Sequence, residues 1–576
     1  MSDSIPVEDI LKDKGYPGFT PDMLDGPRMY RATHHLNEAD LENFWILDFR
    51  FSYGIRPLGY LMMDDGLAWG MQSMAYNSHV PGSNGQDIGM AGIHCYIAEV
   101  PQFNPEEDDE RGAQLEAFLP RFVDGFEQNH ADAMQMLERR ARGLETFETT
   151  GKPLAELADY LESGRLHLRR SFEVHFSQMY ALLLNHFGFC GFCEELGIPA
   201  SQVPKFLAGR PSKITDGDKA LFELAAEIKN GPLAEVFAQT PGIDLLTKLQ
   251  ADGSAIPFLK RFDTFLDQWG WRTDDVGNPE QAHWWKDRAK PLEMIRSIAA
   301  KDEILDVDAD LSASAEQREI ALDAARSKLS SSERAMFDDA VTSLQKANFV
   351  WWNEDHNHYI DMRCSIPLHN AAMAIGEALD LSDPADTCYL FYPELEAVAR
   401  GDKQIGDFTT LIKDRRDYFN HWHALRGQMP KYLGEPPDVV ADPIMIEMDG
   451  VTEDFLATLR GEGGEDRVLK GTSAAAGVVS GPARIILEAG DIYRLNAGDI
   501  LVCEGTSPSW TPAFGTIAGC AADAGGSLSH TAVVSREYGI PCVLGLAVGT
   551  KAIREGDLVE VDGNNGRVTI LERAES

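Results

Sequence analysis

Hydrophobic and polar residues change their spacing twice along the 576-residue chain, and each change marks a different kind of structure. In residues 1–110 aromatics, methionine, glycine and histidine are interspersed with short alternating runs such as Gly66-Leu67-Ala68-Trp69-Gly70-Met71-Gln72, a mixture that predicts loops and strands. From 111 to 430 the spacing becomes helical. Leu115, Phe118, Leu119, Phe122 and Phe126 fall on one helical face, as do Leu157, Tyr160, Leu161 and, a turn further, Leu166, and similar patterns recur at 217–230, 254–269, 333–348 and 404–425. Gly434-Glu435-Pro436-Pro437-Asp438 and the polar gap from Arg460 to Arg467 predict a linker over 431–467. The last hundred residues turn to short β-type runs, Ala483 to Leu487, Ile500 to Cys503, Leu558 to Val561 and Val568 to Leu571, set between glycine turns. The pattern is that of a multidomain α+β protein: an N-terminal mixed region (1–110), a mainly helical domain (111–430), a linker (431–467) and a compact β/α domain (468–576).

Length and composition narrow the function classes. A chain this long exceeds one hydrophobic core and is expected to form two to four domains. Hydrophobic content of 44% with 25% charged residues is that of a soluble globular protein. A formal net charge of −40 argues against nucleic acid or an anionic membrane surface as a partner. No apolar run approaches the roughly 20 residues of a membrane span, and Met1-Ser2-Asp3-Ser4-Ile5-Pro6 lacks the basic and apolar regions of a signal peptide, so the expected location is the cytoplasm. Of eight cysteines, Cys190 and Cys193 form the single C-x-x-C; with no second pair and no thioredoxin-like context they read as packing residues, and no metal site is expected.

The most informative stretch is Gly525-Gly526-Ser527-Leu528-Ser529-His530-Thr531-Ala532, followed by Gly539-Ile540-Pro541. It reads as a glycine turn that delivers a histidine to the first turn of a short helix. Ser529 is the N-cap, Gly539 the left-handed C-terminal position, and Pro541 lies beyond it. At a helix start, unpaired N–H groups and the partial positive charge of the helix favour a phosphate held on the imidazole, with Gly525, Gly526, Ser529 and Thr531 as the supporting loop.

This segment resembles the phosphohistidine loop of the phosphoenolpyruvate (PEP) synthase and pyruvate phosphate dikinase superfamily, whose pattern G-G-x-x-S-H-x-A, then G-I-P-x-V-x-G, is met by Gly525, Gly526, Ser529, His530, Ala532, Gly539, Ile540, Pro541, Val543 and Gly545. Gly471 to Arg484, Gly498 to Val502 and Thr506 to Pro512 are similar to the rest of that family's swivelling domain. Ser527 and Leu528 depart from it, standing where relatives usually carry longer polar or basic side chains. The helical region has a second resemblance: Phe265-Leu266-Asp267-Gln268-Trp269-Gly270-Trp271-Arg272-Thr273, with Trp284 to Asp287 downstream, and Asn353-Glu354-Asp355-His356-Asn357-His358-Tyr359-Ile360-Asp361-Met362-Arg363 are similar to segments of rifampin phosphotransferase and related enzymes. Trp271 stands for the family histidine, Thr273 for a glycine and Asn353 for an arginine. Trp45 through Arg56-Pro57-Leu58 is similar to the opening of phenylphosphate synthase subunits.

The resemblance implies a dikinase-type phosphotransferase. His530 takes the β-phosphoryl group of ATP, AMP and phosphate are the co-products, and the swivelling phosphohistidine domain carries the group to a helical acceptor-binding domain. The chain shows no GxxxxGK[ST] loop and no segment similar to an ATP-grasp domain. The layout resembles the histidine-bearing subunit of phenylphosphate synthase, which implies an ATP-grasp partner subunit binding ATP and Mg²⁺. Phosphoryl transfer requires alignment and neutralised charge, so Arg272 and Arg363 are candidate cations. Glu354, His358 and Asp361 lie at helical spacing on one face, with His356 as first choice for the base and His358 next. His34, His35, His79 and His94 are further histidines able to reach the pocket. Tryptophans at 269, 271, 284, 285, 351 and 352 suit a small aromatic, phenolic acceptor. An antibiotic or sugar hydroxyl is the alternative acceptor, and a non-catalytic protein retaining the carrier fold the alternative class.

Overall fold

The computed structural model describes every residue except 1–3, 25, 27, 28, 52, 102, 103, 274–278, 280, 281, 302, 357–361, 462–466, 507–509, 575 and 576. His358 and Asp361 lie outside the described residues. The protein is a multidomain α+β structure whose chain divides into two compact units, one made of 1–185, 275–281 and 360–446, the other of 186–274, 282–359 and 447–576. The helical region 111–430 is thus shared between them.

The first unit contains a five-stranded sheet, β1 (His34–His35), β2 (Trp45–Leu47), β3 (Ser83–Ala91), β4 (His94–Pro101) and β5 (Tyr432–Leu433), in the order β1-β3-β4-β2-β5. β1 runs parallel to β3 and the other pairs are antiparallel. Gly66 to Gln72 is not a strand but part of a π-helical turn (Met62–Ala68) that continues into the helix Trp69–Asn77. Its residues are buried all round apart from the half-buried Trp69, and a short apolar run of this kind has no periodicity that separates strand from helix. Two long helices follow, α1 (Pro105–Glu145) and α2 (Leu154–Glu195). On α2, Leu157, Tyr160 and Leu161 are buried, whereas Leu166 is 46% exposed. Five residues past Leu161 is about 140° further round the helix, off the apolar stripe.

The stretch read as a linker is structured. It holds β5, which pairs with β2, and the helices Pro443–Glu447 and Glu453–Leu459. Asp442 anchors it within the first unit: its buried carboxylate accepts from Ser83 Oγ (3.2 Å), Gln86 Nε2 (3.0 Å) and Tyr180 OH (3.0 Å), and caps Ile444 N at 3.0 Å. A buried carboxylate requires this degree of satisfaction, and no local sequence signal announces partners hundreds of residues away.

The second unit joins a helical layer to an eight-stranded sheet. Helices α3 (Lys213–Asn230), α4 (Ile256–Trp269), α5 (Ala289–Ala299) and α6 (Val307–Arg326) bury Leu221, Phe222, Phe262, Phe265, Leu292 and Ile295 in one cluster. The sheet comprises β6 (Val468–Lys470), β7 (Thr472–Ala475), β8 (Val478–Ile485), β9 (Ile500–Cys503), β10 (Gly519–Ala522), β11 (Cys542–Leu544), β12 (Leu558–Asp562) and β13 (Arg567–Glu572), ordered β6-β13-β12-β8-β9-β10-β11-β7. Its centre, β8-β9-β10-β11, is parallel. Along β9 the side chains alternate: Ile500 and Val502 enter one core cluster, Leu501 and Cys503 the other. Both faces of the strand are therefore covered, which is why it reads as a continuous apolar run. The helix α7 (His530–Glu537) lies on the Leu501 side, where Ala532 and Val534 are buried.

Candidate active site

His530 is presented by a loop whose conformation follows from its glycines and serine. Gly525 has φ +108°, and a Cβ there would sit 3.0 Å from Ser529 Oγ, the capping atom. Ser529 is extended and its hydroxyl accepts from Ala532 N at 3.4 Å, so α7 begins at His530. Gly539 (φ +62°) ends the helix, with Ile540 N bonded back to Ser535 O at 2.8 Å. The loop is held from outside by the segment before the sheet: Gly525 N donates to Asp449 O (2.8 Å), Gly526 N to Met448 O and Leu528 N to Glu447 O (both 3.3 Å). Ser527, one of the two departures from the family pattern, donates its hydroxyl to Glu447 Oε2 at 2.5 Å. Thr531 pairs its hydroxyl with that of Thr506 at 2.8 Å. Arg536 closes the loop from the helix side, donating to Ser527 O (2.8 Å) and Ala474 O (3.0 Å); burial pushes its guanidinium down to about 10.

The His530 side chain is 8% exposed, and its Nδ1 lies 3.4 Å from Oε1 of Glu354, which is itself buried. Glu354 follows the short helix Phe349–Trp352, which Asn348 starts by accepting from Trp351 N at 3.1 Å. Over 353–356 the chain widens into a π-type turn, a local distortion common at functional positions. The structure therefore brings Glu354 to the histidine. His356 is fully buried and stacked on Trp352, ring centroids 5.0 Å apart.

Arg272 is not an open cation. Its Nη1 donates to Asp218 Oδ1 at 3.1 Å, both groups are buried, and the guanidinium lies 5.4 Å above the Trp284 ring. Gly217 makes room for it, since a Cβ there would fall 2.4 Å from Arg272 Nη2. Trp271, in place of the family histidine, is buried and donates Nε1–H to Gln268 O at 2.8 Å. Trp271, Trp284 and Trp352 are all core side chains. Arg363 belongs to the first unit, where it forms a two-pronged pair with Glu145 at 2.7 and 2.6 Å. His34, His35, His79 and His94 also belong to that unit. His34 Nε2 is 3.2 Å from Asp40, His35 Nε2 is 2.9 Å from Tyr60 OH, and His94 Nε2 is 3.3 Å from Trp422 O.

Three groups near the histidine are absent from the sequence-based site. Asp218 accepts from Arg272 and from Tyr538 OH (3.4 Å), and burial raises its carboxyl while Arg272 opposes that rise. Glu537, at the end of α7, is pushed well above the usual carboxyl range by burial and by the neighbouring Glu354 and Asp218. Glu447 is raised by burial. The one sequence signal for this cluster is Gly217, a costly residue inside a helix that marks a close approach. Cys190 and Cys193 lie in α2 with thiols raised to about 12 by burial. Among the described residues no group of three or more His, Cys, Asp or Glu is arranged to hold a metal ion, and no helix is long and apolar enough to cross a membrane.

Comparison with known proteins matches residues 495–566 to the PEP-utilising enzyme mobile domain and residues 171–354 to the rifampicin phosphotransferase fourth domain. His530 lies in the first match; Arg272, Asp218 and Glu354 lie in the second. Chondramide synthase of Chondromyces crocatus is 31% identical over 431 residues, 72% of this chain and 11% of that protein. The uncharacterized phosphotransferase YvkC of Bacillus subtilis is 26% identical over 382 residues, 64% of this chain and 43% of that protein. Rifampicin phosphotransferase of Streptomyces sviceus is 36% identical over 200 residues, 35% of this chain and 21% of that protein. The chain thus spans between 11 and 43% of the length of these relatives.

Proposed function

We propose that this member of the PEP-utilising phosphotransferase superfamily carries a phosphoryl group on His530 from ATP to the hydroxyl of a small acceptor. The observation that carries the reading is the Nδ1 of His530 at 3.4 Å from the buried carboxylate of Glu354, at the start of a serine-capped helix. A carboxylate accepting from Nδ1–H fixes the ring and leaves the Nε2 lone pair as the nucleophile. Nε2 forms a bond to phosphorus as the bond to the donor's leaving oxygen breaks. In the second half-reaction the acceptor oxygen bonds to phosphorus, the P–N bond breaks, and the hydroxyl proton is released. Charge on the transferring group is met by the N–H groups at the start of α7; Arg272 is engaged by Asp218.

The proposed donor site lies on an ATP-grasp partner subunit in the cytoplasm: attack at the β-phosphorus releases AMP and leaves a pyrophosphoryl group on Nε2, and water then cleaves its P–O–P bond to release phosphate and leave the phosphoryl group on His530, a dikinase-type reaction. ATP brings Mg²⁺ as a charge-neutralising ion. Among the described residues no group of three or more His, Cys, Asp or Glu is arranged to hold it. For the acceptor, a phenolic hydroxyl is proposed because its pKa of about 10 eases deprotonation. A rifamycin-type antibiotic hydroxyl is the second reading, favoured by the match of 171–354 to a rifampicin phosphotransferase domain.

The test is to incubate the chain with Mg-ATP, alone and with a candidate ATP-grasp partner, and to measure intact mass and acid lability. One acid-labile phosphoryl group in the presence of the partner, absent in His530→Ala, is expected. Equal labelling of the alanine variant would overturn the assignment of His530. Labelling by Mg-ATP without the partner would overturn the separate donor subunit.

A further inference from the structure

The helix that carries His530 is attached at both ends. It is eight residues, about 12 Å, long. At its start His530 meets Glu354, and just past its end Tyr538 OH donates to Asp218 Oδ2 at 3.4 Å. Asp218 is shared: its other oxygen receives Arg272 at 3.1 Å, so one buried carboxylate joins α3, the turn after α4 and the end of α7. Among the described residues, Tyr538 is also the side chain that packs against both the helical core cluster and the core on the α7 face of the sheet.

Two features make this contact releasable. A cavity lined by Asp218, Leu305, Val307, Leu311, Glu537 and Tyr538 adjoins the ring. Its packing there is incomplete, and separation forfeits fewer dispersion contacts than a filled core would. The bond is also long for a hydroxyl donor, at 3.4 Å, and the phenol, pushed well above its usual range by burial and by Asp218 and Glu537, stays a donor throughout the neutral range. His530, meanwhile, is 8% exposed as the helix lies, and in-line displacement at its ring requires an approach that such cover denies.

We propose that Tyr538 and Asp218 form a docking latch that holds helix α7 on the helical layer of its own unit, so that His530 is withheld from the phosphoryl donor while the latch is closed and released to it when the latch opens. The inference rests on the reading of His530 as a phosphoryl carrier and names the positioning residue that controls it. Closing aligns the ring with Glu354; opening gives it to the donor. Tyr538 acts through the helix and touches no reacting atom.

Phosphoramidate, a small donor that needs no partner subunit, tests this on the full chain. Its phosphorus bonds to the ring nitrogen as its P–N bond breaks, and ammonia leaves. Tyr538→Phe removes the hydroxyl and keeps the ring; it is expected to speed modification of His530 about tenfold, the effect of losing one hydrogen bond to a charged group. Tyr538→Ala, which also removes the packing, is expected to exceed it. The buried His186 and His283 serve as internal controls and are expected to react as in the parent chain. An unchanged rate at His530 in Tyr538→Phe, or an equal rise at all three histidines, would overturn the latch. Amide exchange over 530–538 gives a second readout independent of any phosphoryl chemistry: it is expected to quicken in Tyr538→Phe, and unaltered exchange would also overturn the latch. A chain whose His530 responds to Tyr538 in these ways but is never labelled by ATP with a partner would leave the latch standing and remove the proposed carrier function.

Discussion

Oε1 of Glu354 and Nδ1 of His530 lie 3.4 Å apart, although 176 positions separate them in the chain. The carboxylate comes from a π-type turn after a four-residue helix and the imidazole from the first residue of a capped helix. Fixing the ring through Nδ1 serves the half-reaction taken while α7 is docked, in which Nε2 loses the phosphoryl group to the acceptor. Glu354→Gln keeps the size and one oxygen but removes the charge. It is expected to slow transfer to the acceptor by roughly 10- to 100-fold, the range of a charge-assisted hydrogen bond of about 1.5–3 kcal/mol, and to leave phosphorylation of His530, which takes place with α7 undocked, at the parent rate. Rapid-quench measurement of the two half-reactions checks this, and two normal rates would remove Glu354 from the mechanism.

His356 is expected to behave as a core residue. It is fully buried and stacked on Trp352, so His356→Ala should lose about 2–4 kcal/mol of stability through the cavity it leaves and affect both half-reactions alike. Denaturant unfolding together with the two rates decides the point. A normal unfolding midpoint with a selective loss of transfer would restore His356 as the acceptor-side base.

Two glycines that flank the helix should respond differently to the same substitution. Gly525 has φ +108° and a Cβ there would crowd Ser529 Oγ at 3.0 Å, whereas Gly539 has φ +62° with open space around the Cβ position. Gly539→Ala is expected to lose about 1 kcal/mol from backbone strain alone and to keep normal phosphorylation of His530. Gly525→Ala should lose at least as much and also slow phosphorylation, because the displaced atom is the cap that sets where the helix begins. Equal phosphorylation rates in the two variants would argue against that role of the cap.

The buried histidines of the first unit should withdraw stability as the pH drops below 6.5. Burial holds His35 and His175 down to about 3 and His167 down to about 4, against an ordinary value of 6.5. Between those values the unfolded chain binds protons that the folded chain refuses, so stability rises with pH across this window and is fully present above 6.5. At pH 5 each such histidine withdraws about 2 kcal/mol. Glu99 acts in the opposite sense. Burial and the nearby Asp442 raise it to about 7 from 4.5, so its contribution is present below 4.5 and lost as pH rises to about 7. Asp13, Asp87 and Asp442, also raised by burial, act in the same sense as Glu99, so the histidine effect is read against a variant: between pH 7 and 5 the parent chain is expected to lose about 2 kcal/mol more stability than His175→Gln, measured from urea midpoints. An equal change in the two chains would contradict the burial of His175.

Read from the chain alone, the loop 525–545 determined its own structure. Glycine at the positive-φ positions, a serine that caps and a proline past the end act through local sterics and hydrogen bonds, and the helix forms where they dictate. The same holds for the alternation of β9, whose two apolar faces both find a core. What local patterning could not specify was which side chain meets His530. Glu354 and His356 stand two residues apart in one motif and in one π-type turn, both buried, yet the first meets His530 and the second stacks on Trp352. Arg272 looked like a free cation because Asp218, its partner, lies 54 residues away. Arg363 likewise finds Glu145 across 218 residues. The segment 431–467 reads as a linker because its hold on the protein comes from distant partners: one strand pairing, the buried carboxylate of Asp442, and the bonds that 447–449 receive from the loop 525–528. Local conformational preference is carried by neighbouring residues and is legible in order. The pairing of buried charges is decided by which distant groups arrive together, and that is a property of the tertiary structure.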